Sequence, residues 1–80
     1  MAQHTWDVRS GEDLGRAIAG ARAAAGLTQA EVAASVNLDR TYLARLEAGL
    51  TVKALERSLR ILRRLGAHIT VQFGPGEDHG

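Results

Sequence analysis

Between Leu27 and Gly49 the chain has room for two helices only, both short and joined by a tight turn. Thr28 is followed three residues later by Glu31, a capping box in which the Thr oxygen takes the Glu31 amide and the Glu carboxylate reaches back. Val32, Ala33 and Val36 form the inward face of the helix it opens. Asn37 then breaks that helix, because Asn enters the left-handed backbone region at little cost. Asp39 is expected to cap the next helix, with acceptor oxygens for free amides and a negative charge at the positive end of the dipole. Leu43 and Leu46 face inward, and Gly49 ends the helix. Helices this short depend on tertiary packing, so they need longer neighbours.

The flanking segments supply them. Ser10 and Asp13 resemble a capping box, and Leu14, Ala17, Ile18, Ala21 and Ala25 keep the spacing of one helical face up to Gly26. A fourth helix is predicted from a Thr51 cap to Leu65, with Gly66 as its stop. It carries two apolar stripes side by side. One is Val52, Leu55, Leu59 and Leu62; the other is Ala54, Ser58, Ile61 and Leu65. One stripe suffices for a core, so the second implies another surface to bury.

After Gly66 the period changes. Residues 68–73 alternate polar and apolar, with Ile69, Val71 and Phe73 on one side, which is a strand pattern. Trp6 and Val8 read either as a second short strand or as an apolar lid over helix ends. The expected fold is all-α, four to five helices, with one short C-terminal β-strand pairing across a homodimer. Residues 1–9 are an N-terminal extension, 10–66 the helical domain, 67–73 the dimerisation strand and 74–80 a flexible polar tail. A lone strand must satisfy its backbone groups somewhere, and its twin in a second copy offers an antiparallel ladder. Ile61, Leu65, Ile69, Val71 and Phe73 are the expected dimer contacts.

Composition removes other classes. Eighty residues make one domain with a thin core, and without cysteine no disulfide or thiolate metal site can reinforce it. The three His have no helical ligand spacing, so no metal is expected, and no cofactor. No phosphate-cradling glycine loop and no activated nucleophile is present, so no enzyme is expected. The start of the chain lacks the basic-then-apolar pattern of a signal peptide, and no run is apolar enough for a membrane span; a cytoplasmic protein is expected. Net charge is only +1, so the placement of the ten Lys and Arg matters more than their number.

Arg40, Thr41, Ala44, Arg45 and Ala48 lie opposite Leu43 and Leu46. Two Arg, one Thr and two Ala suit a helix that sits deep in a DNA groove. Ala44 can touch a thymine methyl, and an Arg can grip guanine O6 and N7. Tyr42, at the edge of the core face, divides between packing and a phosphate contact. Residues 22–33 and 39–49 resemble the opening and the recognition helix of the phage-repressor (Cro/cI, XRE) helix-turn-helix family, and the likeness runs from about Leu14 to Leu65. That resemblance implies a sequence-specific repressor binding double-stranded palindromic DNA. It implies a backbone clamp at Gln29 with Thr28 beside it, and an ion pair between Arg22 and Glu47 joining the first helix to the end of the recognition helix. Asn37 departs from the Gly frequent at that turn. Lys53, at a helix start, is the likeliest of the fourth helix's cations to meet phosphate.

A helix, Leu65, Gly66, Ala67 and then a strand is similar to the C-terminal half of HipB-type antitoxins. This implies an autoregulating antitoxin with a HipA-type kinase toxin as partner. The alternatives are a stand-alone regulator without a toxin, and a protein-interaction module that has lost DNA affinity. Arg40 and Arg45 on an exposed face argue against the last.

Overall fold

The computed structural model describes residues 4–50 and 52–74. Its elements run β1 (His4–Val8), α1 (Gly11–Ala24), α2 (Gln29–Ser35), α3 (Arg40–Glu47), α4 (Lys53–Arg64) and β2 (Ile69–Phe73). All four expected helices are present, and no helix among the described residues is long and apolar enough to cross a membrane.

The caps are mostly those written in the chain. The Ser10 hydroxyl accepts from the Asp13 amide at 3.2 Å, and Asp13 accepts in turn from the Arg9 amide at 2.9 Å. At α2 the reciprocal box closes: Thr28 Oγ1 accepts from the Glu31 amide at 3.0 Å and Glu31 Oε1 from the Thr28 amide at 2.8 Å. Asn37 sits at φ 61°, in the left-handed region, and the Leu38 amide reaches the Ala33 carbonyl at 2.8 Å to close the turn. Two caps differ. Asp39 holds the N-cap position of α3 in extended backbone, yet its carboxylate makes no capping hydrogen bond, so only its charge serves the helix end. Val52 occupies the N-cap position of α4, and Thr51, expected there, lies outside the described residues.

The strand β2, expected to pair with its twin across a homodimer, does not depend on a second copy for its ladder. Instead it pairs antiparallel with β1 of the same chain, with His4 opposite Phe73, Trp6 opposite Val71 and Val8 opposite Ile69. The physical reason is a double clasp between the segments that enter α1 and those of α4. Glu56 Oε2 accepts from the Gly11 amide at 2.9 Å, and the Arg63 guanidinium donates to the Arg9 carbonyl. These bonds hold the start of α1 beside α4, so β1 and β2 leave α1 and α4 close enough to form a ladder. Trp6 and Val8 therefore belong to a strand, and the strand also closes the core. Val8, Ala17 and Leu59 are buried together, with Trp6, Leu14, Leu55 and Val71 packed around them. Of residues 74–80, expected as a flexible tail, 75–80 lie outside the described residues.

Candidate nucleic-acid interface

Three helices meet at one carboxylate. Arg22, in the last turn of α1, donates through Nε to Glu47 Oε2 at 2.6 Å and through Nη2 to Glu47 Oε1 at 2.9 Å. Its third donor, Nη1, reaches the Leu27 carbonyl at 2.9 Å, in the loop before α2. Gln29, the first residue of α2, donates through Nε2 to Glu47 Oε1 at 2.9 Å. The planar guanidinium thus grips the end of α3 with two parallel bonds and the α1–α2 loop with a third. The Glu47 side chain is only 8% exposed and Arg22 22%, so the pair is largely screened from water. The Arg22 bond holds the Glu47 carboxyl below the usual carboxylate range; burial opposes this, and the Gln29 amide adds to the lowering. The same bond pushes the Arg22 guanidinium up.

Close packing sets the depth of α3. Gly15 of α1 lies where a Cβ would stand 2.2 Å from the Leu46 carbonyl oxygen, so α1 and α3 touch backbone to backbone there. Leu43 is buried and Leu46 half-buried, as expected of the inward face, and Ala33 of α2 is buried. Arg40, Thr41, Arg45 and Ala48 are exposed, while Ala44 is half-buried. Tyr42 is 48% exposed, which places its ring at the surface rather than in the core. Among the described residues neither Arg40 nor Arg45 takes part in an ion pair, and this leaves both guanidinia available to an external acceptor. Lys53 is exposed at the start of α4.

The expected residues thus fall into three groups. Arg22, Gln29 and Glu47 come together in one hydrogen-bonded unit, with Thr28 next to it as the cap of α2. Arg40, Thr41, Ala44 and Arg45 share α3 with Tyr42. The expected dimer contacts divide. Val71 packs on the core and Phe73 lies over Gly20 of α1, whereas Ile61, Leu65 and Ile69 remain exposed. Two participants escaped sequence reading, the Gln29–Glu47 bond and the Gly15 contact. Only Gly15 left a signal, since glycine in the middle of a helix costs about 0.5–1 kcal/mol relative to Ala and asks for a reason. No group of His, Asp and Glu that could hold a metal occurs among the described residues.

A family model described as helix-turn-helix matches residues 18–72, well over half of the chain. Comparison with curated proteins and with solved structures finds no match.

Proposed function

Because the chain belongs to the helix-turn-helix family of phage-repressor (Cro/cI, XRE) type, a family of DNA-binding transcription regulators, we propose that it is a repressor reading a palindromic operator as a two-fold dimer. The observation that carries this reading is the exposed face of α3, where Arg40 and Arg45 stand unpaired among the described residues beside Thr41 and Ala44. Arg45 and Arg40 read base edges, Ala44 offers a methyl to thymine, and Thr41 and Tyr42 reach the groove wall. Gln29 clamps phosphate with its second amide hydrogen, Thr28 donates its hydroxyl beside it, and Lys53 adds a charge from α4. Arg22 and Glu47 act by position, fixing α3 against α1.

Dimerisation runs through the sheet. Among the described residues β2 is paired on one edge only, and Ile69 at its start is still 39% exposed. Two such edges meeting antiparallel about a two-fold axis would join the ribbons into four strands and hold two recognition helices one turn of DNA apart, ~34–36 Å. The test is selection of bound duplexes from a random pool. An enriched sequence with two-fold symmetry and half-sites spaced by one helical turn supports the reading; enrichment of a single unrepeated half-site refutes the dimer.

The antitoxin role is a narrower form of the same proposal. What supports it is the succession of α4, a glycine stop and a strand, similar to that of HipB-type proteins. A kinase-like reading frame beside this one, whose product co-purifies with the chain on DNA, is the expected finding. Without it the chain is a stand-alone regulator.

A further inference from the structure

The face of α4 turned away from the core sets an apolar stripe beside a row of arginines. At ~100° per residue, Ile61 and Leu65 lie about 200° and about 240° round the helix from the buried Leu59. They are 60% and 73% exposed, side by side one turn apart. Arg57, Arg60 and Arg64 line one flank of this stripe, and together the five side chains form an open groove of about 540 Å³. None of these three guanidinia takes part in an ion pair among the described residues. The other flank is neutral, with Ser58, whose hydroxyl donates to the Ala54 carbonyl at 2.9 Å.

From this we infer that the groove is the docking site for an acidic amphipathic helix of another protein, one that sets two apolar side chains a turn apart on Ile61 and Leu65 and a row of carboxylates along Arg57, Arg60 and Arg64. The inference is independent of the DNA-binding reading, because it uses no residue assigned to DNA. Charge decides against a second copy of this chain. In an antiparallel self-pairing about a two-fold axis the arginine rows would face one another. A parallel self-pairing would lay each row over the partner's neutral flank. The single carboxylate of α4, Glu56, is bonded to the Gly11 amide on the core side and cannot answer them. Each arrangement therefore leaves the arginines without carboxylates, while their stems and the two apolar side chains lose water. An acidic helix satisfies both needs at once, as in other helix-in-groove recognition.

The experiment titrates the full chain with two fluorescent, stapled helical peptides. They share one leucine stripe at i and i+4 and differ only in carrying Glu or Lys along its flank. Exposed charge pairs are individually weak, so three together should favour the Glu peptide about tenfold. Arg60→Glu with Arg64→Glu should reverse the preference, and Leu65→Asp should weaken both peptides. In the unaltered chain, amide chemical-shift changes on adding the Glu peptide should centre on α4, a readout that depends on no variant. Equal binding of both peptides, no binding, or shifts centred elsewhere overturns the proposal. So does loss of dimers on Leu65→Asp, which would make a second copy the occupant. Loss of affinity for a random-sequence duplex in the arginine variant would make DNA the occupant and overturn it equally.

Discussion

Gly15→Ala sets two effects of opposite sign against each other. In an isolated helix the change is favourable by about 0.5–1 kcal/mol, because alanine loses less conformational freedom on folding. Here the added methyl would stand 2.2 Å from the Leu46 carbonyl oxygen, 3.0 Å from the Glu47 oxygen and 3.2 Å from the Glu47 carbonyl carbon. All three are backbone atoms of the last turn of α3, so no side chain can swing aside. To reach ordinary contact α1 and α3 must part by roughly 1 Å, a displacement of the kind that costs about 1–3 kcal/mol in a packed core. The net expectation is a loss of about 1–2 kcal/mol, which lowers the melting temperature of a domain this size by about 4–16 °C. Because the separation pulls Glu47 from Arg22, DNA affinity should fall too. The assays are thermal unfolding by circular dichroism and fluorescence anisotropy with a labelled duplex. Gly20→Ala is the control: its methyl would meet only the Phe73 ring tip at 3.2 Å, and a ring can tilt, so a change near zero is expected. A higher melting temperature for Gly15→Ala would refute the close approach of the two helices.

Three further outcomes follow from the same geometry. The depressed Glu47 carboxyl contributes stability that is fully present above its unfolded value, about 4.3, and is lost as pH falls through the lower folded value; Arg22 stays charged throughout this range. Urea unfolding of the natural chain should therefore weaken more steeply below about pH 4.3 than that of Glu47→Gln. In gel shifts at fixed salt, Arg45→Ala should cost about 1–3 kcal/mol on the selected operator and little on a scrambled duplex, whereas Gln29→Ala should weaken both alike. Equal losses for Arg45→Ala would remove it as a base reader. Deleting residues 68–80 takes away the ladder partner of β1 and uncovers Val8, so cooperative unfolding should be lost even in dilute monomer. A truncated chain that melts like the whole one would confine β2 to association.

What could be read from the chain alone was local. The α2 box is a relation between Thr28 and Glu31 three residues apart, and the turn at Asn37 needs only one residue that tolerates positive φ. The strand character of β2 is likewise a period within five residues. Its partner is not local. Alternation shows that a ladder is required but says nothing of whose edge completes it, and β1 carries only Trp6 and Val8 on its apolar side where β2 carries three such residues, too few to tell a strand from a lid. The decision lies in Glu56 and Arg63 reaching back to Gly11 and Arg9 across some fifty residues, contacts that no spacing reveals.

Gln29 carries the same lesson into the site. Its place at the first turn of α2 suggests a phosphate clamp, and the sequence supports no more than that. The structure shows its amide nitrogen already bonded to Glu47, which is itself held by Arg22. At first sight this is competition, with the donor consumed before DNA arrives. But a primary amide has two N–H groups, and Glu47 engages one. The bond fixes the long side chain in a single direction, so the rotamer entropy of up to about 2 kcal/mol is given up on folding rather than on binding. The carboxylate that locks α3 to α1 thereby also aims the residue proposed to grip the DNA backbone. Glu47 thus fixes both the end of α3 against α1 and the direction of the proposed clamp, and this is why it matters to an interface in which it is not itself a proposed contact.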